Sequence, residues 1–287
     1  MKTLSLSDFD EFPLSPHGSV NSIEFYESYL QSKKLAKGIP KNELGEDHNR
    51  TFYNLLQEVH SARTANPVLF RARVVADQAL TMLWLSRVRA TAQLFVALNE
   101  MPPFSGLTPD DMSKLSKLSK DVSNLSNLSE ILLGYGIVLI YERAIPGIKL
   151  DGAVFNLSPE RPVIALSLRY ARLDNFWFTL MHELAHVALH HAMLNVPILD
   201  NMDEASDDIF EQQADRLASN SLVSRNNWRS CNAMYSQNED EIYEFAEKMG
   251  VHPSIIAGRL QKELNRYDKF SEIVNAVNVR KVLLNNE

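Results

Sequence analysis

Phe176-Trp-Phe-Thr-Leu-Met-His182-Glu183-Leu-Ala-His186-Val-Ala-Leu-His190 holds a His-Glu-x-x-His pattern inside an apolar run that reads as a helix. Successive helical residues are about 100° apart, so positions four apart stack on one face. His182 and His186 therefore present two imidazoles to the same point in space. Glu183, one residue round, can reach a water there without becoming a ligand. Two imidazoles suit a borderline-soft cation such as Zn2+, and the carboxylate suits a general base. The plainer alternative is a core helix with two satisfied histidines.

Glu211-Gln-Gln-Ala-Asp215 weighs against that alternative. It lies in a second stretch of helical composition, and Pro197 between the two keeps them from being one continuous helix. Glu211 as third ligand would complete a catalytic site that keeps one position open for water. Asp215, one turn on, can accept the N–H of a ligating histidine and fix its tautomer. The metzincin pattern would instead need Gly three and His six residues after the second zinc histidine. Those positions are Leu189 and Ala192, so that class fails. His190 and His191 are expected at the rim or in solvent.

Asp174-Asn-Phe-Trp-Phe-Thr-Leu-Met-His-Glu-Leu-Ala-His186, Glu211-x-x-Ala-Asp215 and Val251-His-Pro-Ser-Ile-Ile-Ala-Gly-Arg-Leu260 together resemble the ImmA/IrrE metallopeptidase family. The resemblance covers roughly residues 135 to 265. It implies a small gluzincin-like zinc peptidase, and family members of known role cleave helix-turn-helix repressors in mobile-element, DNA-damage or phage-defence switches. By position, His182, His186 and Glu211 resemble the family's zinc ligands, Glu183 its catalytic glutamate and Asp215 the acid behind a ligand. The repressor is then the expected partner and substrate, with nucleic acid a candidate activator.

The 287 residues, 45% of them apolar, allow one or two domains with a sizeable core. A net charge of −7 argues against a chain-wide nucleic-acid field. One cysteine forms no intrachain disulfide and fits a reducing cytoplasm. No apolar run approaches the roughly 18 residues that span a bilayer, and the N-terminus lacks a signal-peptide core.

The expected fold class is α+β: an N-terminal helical bundle, then a small zincin-like domain with a three-stranded sheet and the His-Glu-x-x-His helix. Residues 1 to 20 read as a loosely held arm. Residues 21 to 36, 48 to 63 and 67 to 98 read as helices, the last apolar over much of its circumference. Met101-Pro-Pro-Phe-Ser-Gly106 marks the expected boundary between residues 1–104, a regulatory or partner-binding region, and residues 105–287. Leu115, Leu118, Val122 and Leu125 are spaced for one stripe of a surface helix. Ile137–Tyr141, Gly152–Phe155 and Pro162–Ser167 read as strands, with a turn in residues 156–161, and the sheet edge is a natural template for an extended peptide. Asp174 is the expected N-cap of the zinc helix.

Several polar features carry two readings. Arg71, Arg73, Arg87 and Arg89 stand either on solvated faces, pairing with an acidic loop near residues 200 to 208, or in a groove that contacts nucleic acid or an acidic partner. That acidic run, from Pro197 to Asp208, reads as a solvated loop or a lid. Cys231 is an idle buried side chain, or a thiolate latch on the open zinc position. A second oxyanion donor is expected among Tyr170, His190 and Arg259. A rival to the protease is a transcriptional regulator or antitoxin-like protein using the zinc fold as a sensing or binding module. The first hundred residues lack the full pattern of a repressor-type DNA-binding domain.

Overall fold

Val138-Leu-Ile-Tyr141 and Pro162-Val-Ile-Ala-Leu166 are apolar at consecutive positions, as strands covered on both faces must be. The computed structural model, which describes residues 22–65, 78–201 and 208–284, shows that covering. The strands are β1 (Val138–Tyr141), β2 (Gly152–Ser158), β3 (Arg161–Leu166) and β4 (Ile198–Asp200), in the order β1-β3-β2-β4. β1 runs parallel to β3, and both other pairings are antiparallel. The sheet thus has four strands where three were expected. β4 comes from the segment expected to be a loop.

One face buries Leu139, Val154, Ile164 and Leu166 against the central helix α6 (Leu173–His190), through Phe176, Trp177, Leu180 and Leu184. The opposite face buries Val138, Ile140, Ala153, Phe155, Val163 and Ala165. It packs against Leu55 and Val59 of α2 (His48–Ala65) and Trp84, Val88 and Ala92 of α3 (Gln78–Leu98). α1 (Ser22–Ala36) packs on α2. The indole N–H of Trp84 donates to the Glu142 carbonyl at 3.2 Å, which ties α3 to the end of β1.

The Leu115–Leu128 stretch is not one surface helix. α4 (Pro109–Lys117) ends in a 3-10 turn, Asp121 is extended (φ −114°, ψ 123°), and a second 3-10 segment leads into α5 (Leu128–Gly134). Short polar side chains compete for the backbone here. Asp121 accepts from the Ser123 N–H at 2.9 Å, Asn124 donates to the Leu118 carbonyl at 2.9 Å, and Ser116 and Ser119 are buried rather than outward. The leucines still point inward, with Leu115, Leu125 and Leu128 in the core.

Asp174 is not the N-cap of α6, since Arg172 occupies that position. The Asp174 carboxylate instead accepts two hydrogen bonds from Arg172, at 2.9 and 2.6 Å. It lies so close to Gly258 that a Cβ there would come within 2.0 Å of Oδ2. That contact seats α6 against α9 (Pro253–Leu264), which follows α8 (Glu239–Met249), its Gly250 stop (φ 67°) and its His252 cap. The turn between β2 and β3 is shorter than expected, because β2 continues to Ser158.

Two of the four arginines, Arg87 and Arg89, pair with carboxylates of the N-terminal helical region and with Glu142 beyond the end of β1. Arg87 lies 3.4 Å from Glu43 and 3.5 Å from Glu142. Arg89 meets Glu58 at 2.6 Å and stacks its guanidinium 4.3 Å from the Phe155 ring. Arg71, Arg73 and the expected N-terminal arm lie outside the described residues.

Glu58 is 1% exposed, so its charge depends on Arg89. Arg89→Ala should cost about 3–5 kcal/mol by stranding that carboxylate. Urea denaturation should show the lower midpoint at an unchanged slope. A shift below about 1 kcal/mol would mean the pair behaves as a surface bridge.

Candidate metal centre

The site is assembled where α6 meets α7 (Ile209–Leu222) beneath β2 and β4. His182, Glu183 and His186 are all buried on α6. Asp208 caps α7 by accepting from the Phe210 N–H at 2.8 Å, and this sets Glu211 in the first turn, facing the histidines. One Glu211 carboxylate oxygen lies 3.2 Å from His182 Nε2 and 3.5 Å from His186 Nε2, and the two imidazole nitrogens are 3.0 Å apart.

Asp200 completes the group. Its Oδ2 is 3.5 Å from His182 Nε2 and 3.8 Å from His186 Nε2. One donor atom each from His182, His186, Asp200 and Glu211 falls within 4.8 Å of every other. Asp200 is 4% exposed, unlike the solvated loop or lid the acidic run suggested. The signal available in the sequence was Pro197-Ile-Leu-Asp200, two apolar residues directly before the first acid of the run.

The far nitrogens of both histidines are held. His182 Nδ1 is 2.9 Å from Asp215 Oδ1, as the motif spacing predicted. His186 Nδ1 is 3.0 Å from His190 Nδ1, and His190 Nε2 is 3.0 Å from Gln213 Oε1. His190 is therefore buried support, not a rim residue. Its position four after His186 was the legible clue. If His186 donates to His190 and His190 to Gln213, both ligand Nε2 lone pairs are free to face the common point.

Polar satisfaction tests whether a cation fits. Both Glu183 oxygens and Asp200 Oδ2 are buried without a hydrogen-bond partner. Buried carboxylates left so are costly, and a divalent ion among them would satisfy them together. The surroundings select positive charge. Burial alone would lower the His182 pKa, yet Asp200, Asp215 and Glu211 carry it up to about 12. Burial would raise Glu211, but hydrogen bonds from His182 and His186 hold its carboxyl well below the usual range. Burial, then Asp200, push Glu183 well above it. Two imidazoles and two carboxylates are a donor set suited to Zn2+.

Glu183 lies against backbone. A Cβ on Gly152 would stand 1.9 Å from Glu183 Oε1. Only glycine lets β2 come this near.

The other anticipated residues lie elsewhere. Cys231 is fully buried in the core and is not among the converging donors. Burial pushes its thiol up, the reverse of a thiolate latch. Arg259 lies along the Trp228 ring, donating to the Val223 carbonyl and to Glu263, and His190 is committed behind His186. Tyr170 is partly exposed in a cleft with Asp151, Arg169, Asn175 and Thr179.

Two measurements follow from this arrangement. Gly152→Ala should displace Glu183 and cut turnover by about 10²-fold or more while leaving metal content unchanged. His190→Ala should weaken metal affinity by about 10–100-fold, read by competition with a chromophoric chelator. Unaltered affinity in the second variant would remove His190 from the support of His186.

Comparison with known proteins agrees with this geometry. Residues 135–261 match the family model described as the IrrE N-terminal-like domain, Peptidase_M78. A search of curated protein sequences finds no match. The matched stretch runs from β1 to α9 and contains every converging donor, together with Glu183, Asp215 and His190. The match supports an ImmA/IrrE-type metallopeptidase domain over residues 135–261.

Proposed function

We propose that the chain is a zinc-dependent endopeptidase whose substrate is a helix-turn-helix transcriptional repressor, cut in a stress, DNA-damage or phage-defence switch. The observation that carries the hydrolytic part is a buried Glu183, both oxygens unpartnered, beside converging donors from two helices and a strand. The repressor rests on the resemblance to family members of known role.

His182, His186 and Glu211 would hold the ion. When bound, zinc polarises a scissile carbonyl and acidifies a water. Glu183 is the base for that water. It takes the proton and then passes it to the departing amine. Its wholly buried position against the Gly152 backbone holds the carboxylate in place for both transfers. Asp215 and His190 keep the two imidazoles turned toward the ion throughout. No helix among the described residues is long and apolar enough to cross a membrane.

Glu183→Gln should retain stoichiometric zinc and lose about 10²–10⁴-fold in cleavage of a helix-turn-helix regulator. Mass spectrometry of the regulator, with and without chelator, reads the outcome. Full cleavage by the variant would refute Glu183 as base. A gel shift on duplex DNA without any cleavage would favour the regulator reading instead. Chelation should also lower the thermal midpoint, since a ligand at about a hundredfold over its Kd contributes about 2.7 kcal/mol.

A further inference from the structure

We propose that β4 is a built-in pseudosubstrate: it occupies the edge of β2 that an extended peptide would take, and its Asp200 carboxylate fills the metal position that a scissile carbonyl would need. The inference rests on the proposed metallopeptidase function and adds a means of self-inhibition to it.

The edge comes first. β2 passes directly over Glu183, close enough at Gly152 to exclude any side chain. One side of β2 is taken by β3. A peptide bringing its carbonyl to the converging donors as an added strand would use the other side. That side is occupied at Gly152, Ala153 and Val154 by Asp200, Leu199 and Ile198. The Asp151 N–H, next along, donates to the Asp200 carbonyl at 2.8 Å.

The donor count comes second. Three protein ligands leave a catalytic zinc one open position, whereas four close it. Here four donor atoms converge, and the fourth arrives on β4. Asp200 Oδ2 is buried, without a hydrogen-bond partner, and aimed into the group, 3.5 Å from His182 Nε2.

The attachment is weak for so central a position. β4 is three residues long, and its Ile198 and Leu199 side chains are only half-buried. A strand held this lightly can yield its place to a competing one.

The test uses the full chain loaded with Co2+, comparing wild type with Asp200→Ala and Asp200→Asn. Visible absorption reports coordination, acetohydroxamate titration reports access to the metal, and cleavage of an unstructured casein peptide reports activity. If Asp200 occupies the position more than about 90% of the time, its removal should tighten hydroxamate binding about tenfold or more. The Co2+ spectrum should shift, and peptide cleavage should rise. The β2–β4 pairing is made by backbone, so both variants keep it, and circular dichroism checks the fold.

Equal hydroxamate affinity and an unchanged spectrum in wild type and variants would overturn the pseudosubstrate. Loss of Co2+ from the variants would overturn it too, by making Asp200 a permanent ligand. Failure of wild type to bind Co2+ would defeat the metal centre and the pseudosubstrate together. A spectral shift with tighter hydroxamate binding but no cleavage would support occlusion by Asp200 and count against the peptidase reading alone.

Discussion

Glu183 rests against the backbone of Gly152, nearer than any Cβ would permit, and the rest of the centre depends on that contact. It fixes how close α6 lies to β2. That in turn decides whether His182 and His186 sit deep enough to be shielded yet can still meet donors from other elements. The sheet can press so near because its far face is covered by α2 and α3. The N-terminal helices thus buttress the sheet behind the converging donors.

Deep burial costs polar side chains their water. The centre offsets that cost by aiming its polar groups at one another: Asp215 at His182, Gln213 at His190 and His190 at His186. α7 supplies both ends of this support, with Asp215 behind one histidine and Gln213 behind the relay to the other. The buried carboxylate oxygens that stay unpaired among the described residues are gathered at one point, on Glu183 and Asp200. Unpaired buried carboxylates spread through a core would be a defect. Gathered beside two imidazole nitrogens, they are a donor group compatible with a metal ion.

The sequence was most legible where local periodicity and spacing carry the information. The four-residue step placed His182 over His186, and the Glu211–Asp215 step put a donor and a support on consecutive turns of α7. Legibility failed where an outcome depended on partners distant in the chain. The Leu115–Leu128 stripe has helical spacing, but Ser and Asn side chains captured backbone groups and broke the helix while its leucines kept their inward positions. Arg87 and Arg89 gave charge without direction, and Glu58, Glu43 and Glu142 decided where they went.

Asp200 shows the limit most clearly, because its place is a matter of strand register. β4 pairs Asp200 with Gly152 and Ile198 with Val154, so both side chains fall on the α6 face, while Leu199 turns to the face covered by α2 and α3. A slip of one residue would turn Leu199 toward the imidazoles and send the carboxylate to the opposite, apolar side. Both errors are costly: one buries a charge in hydrocarbon, and the other sets a leucine against the polar donors of α6. The same two residues that make Pro197-Ile-Leu-Asp200 look unlike its acidic neighbours therefore fix its register, since each apolar side chain has a core to enter on its own face. The acid belongs to the site because the leucine before it does not.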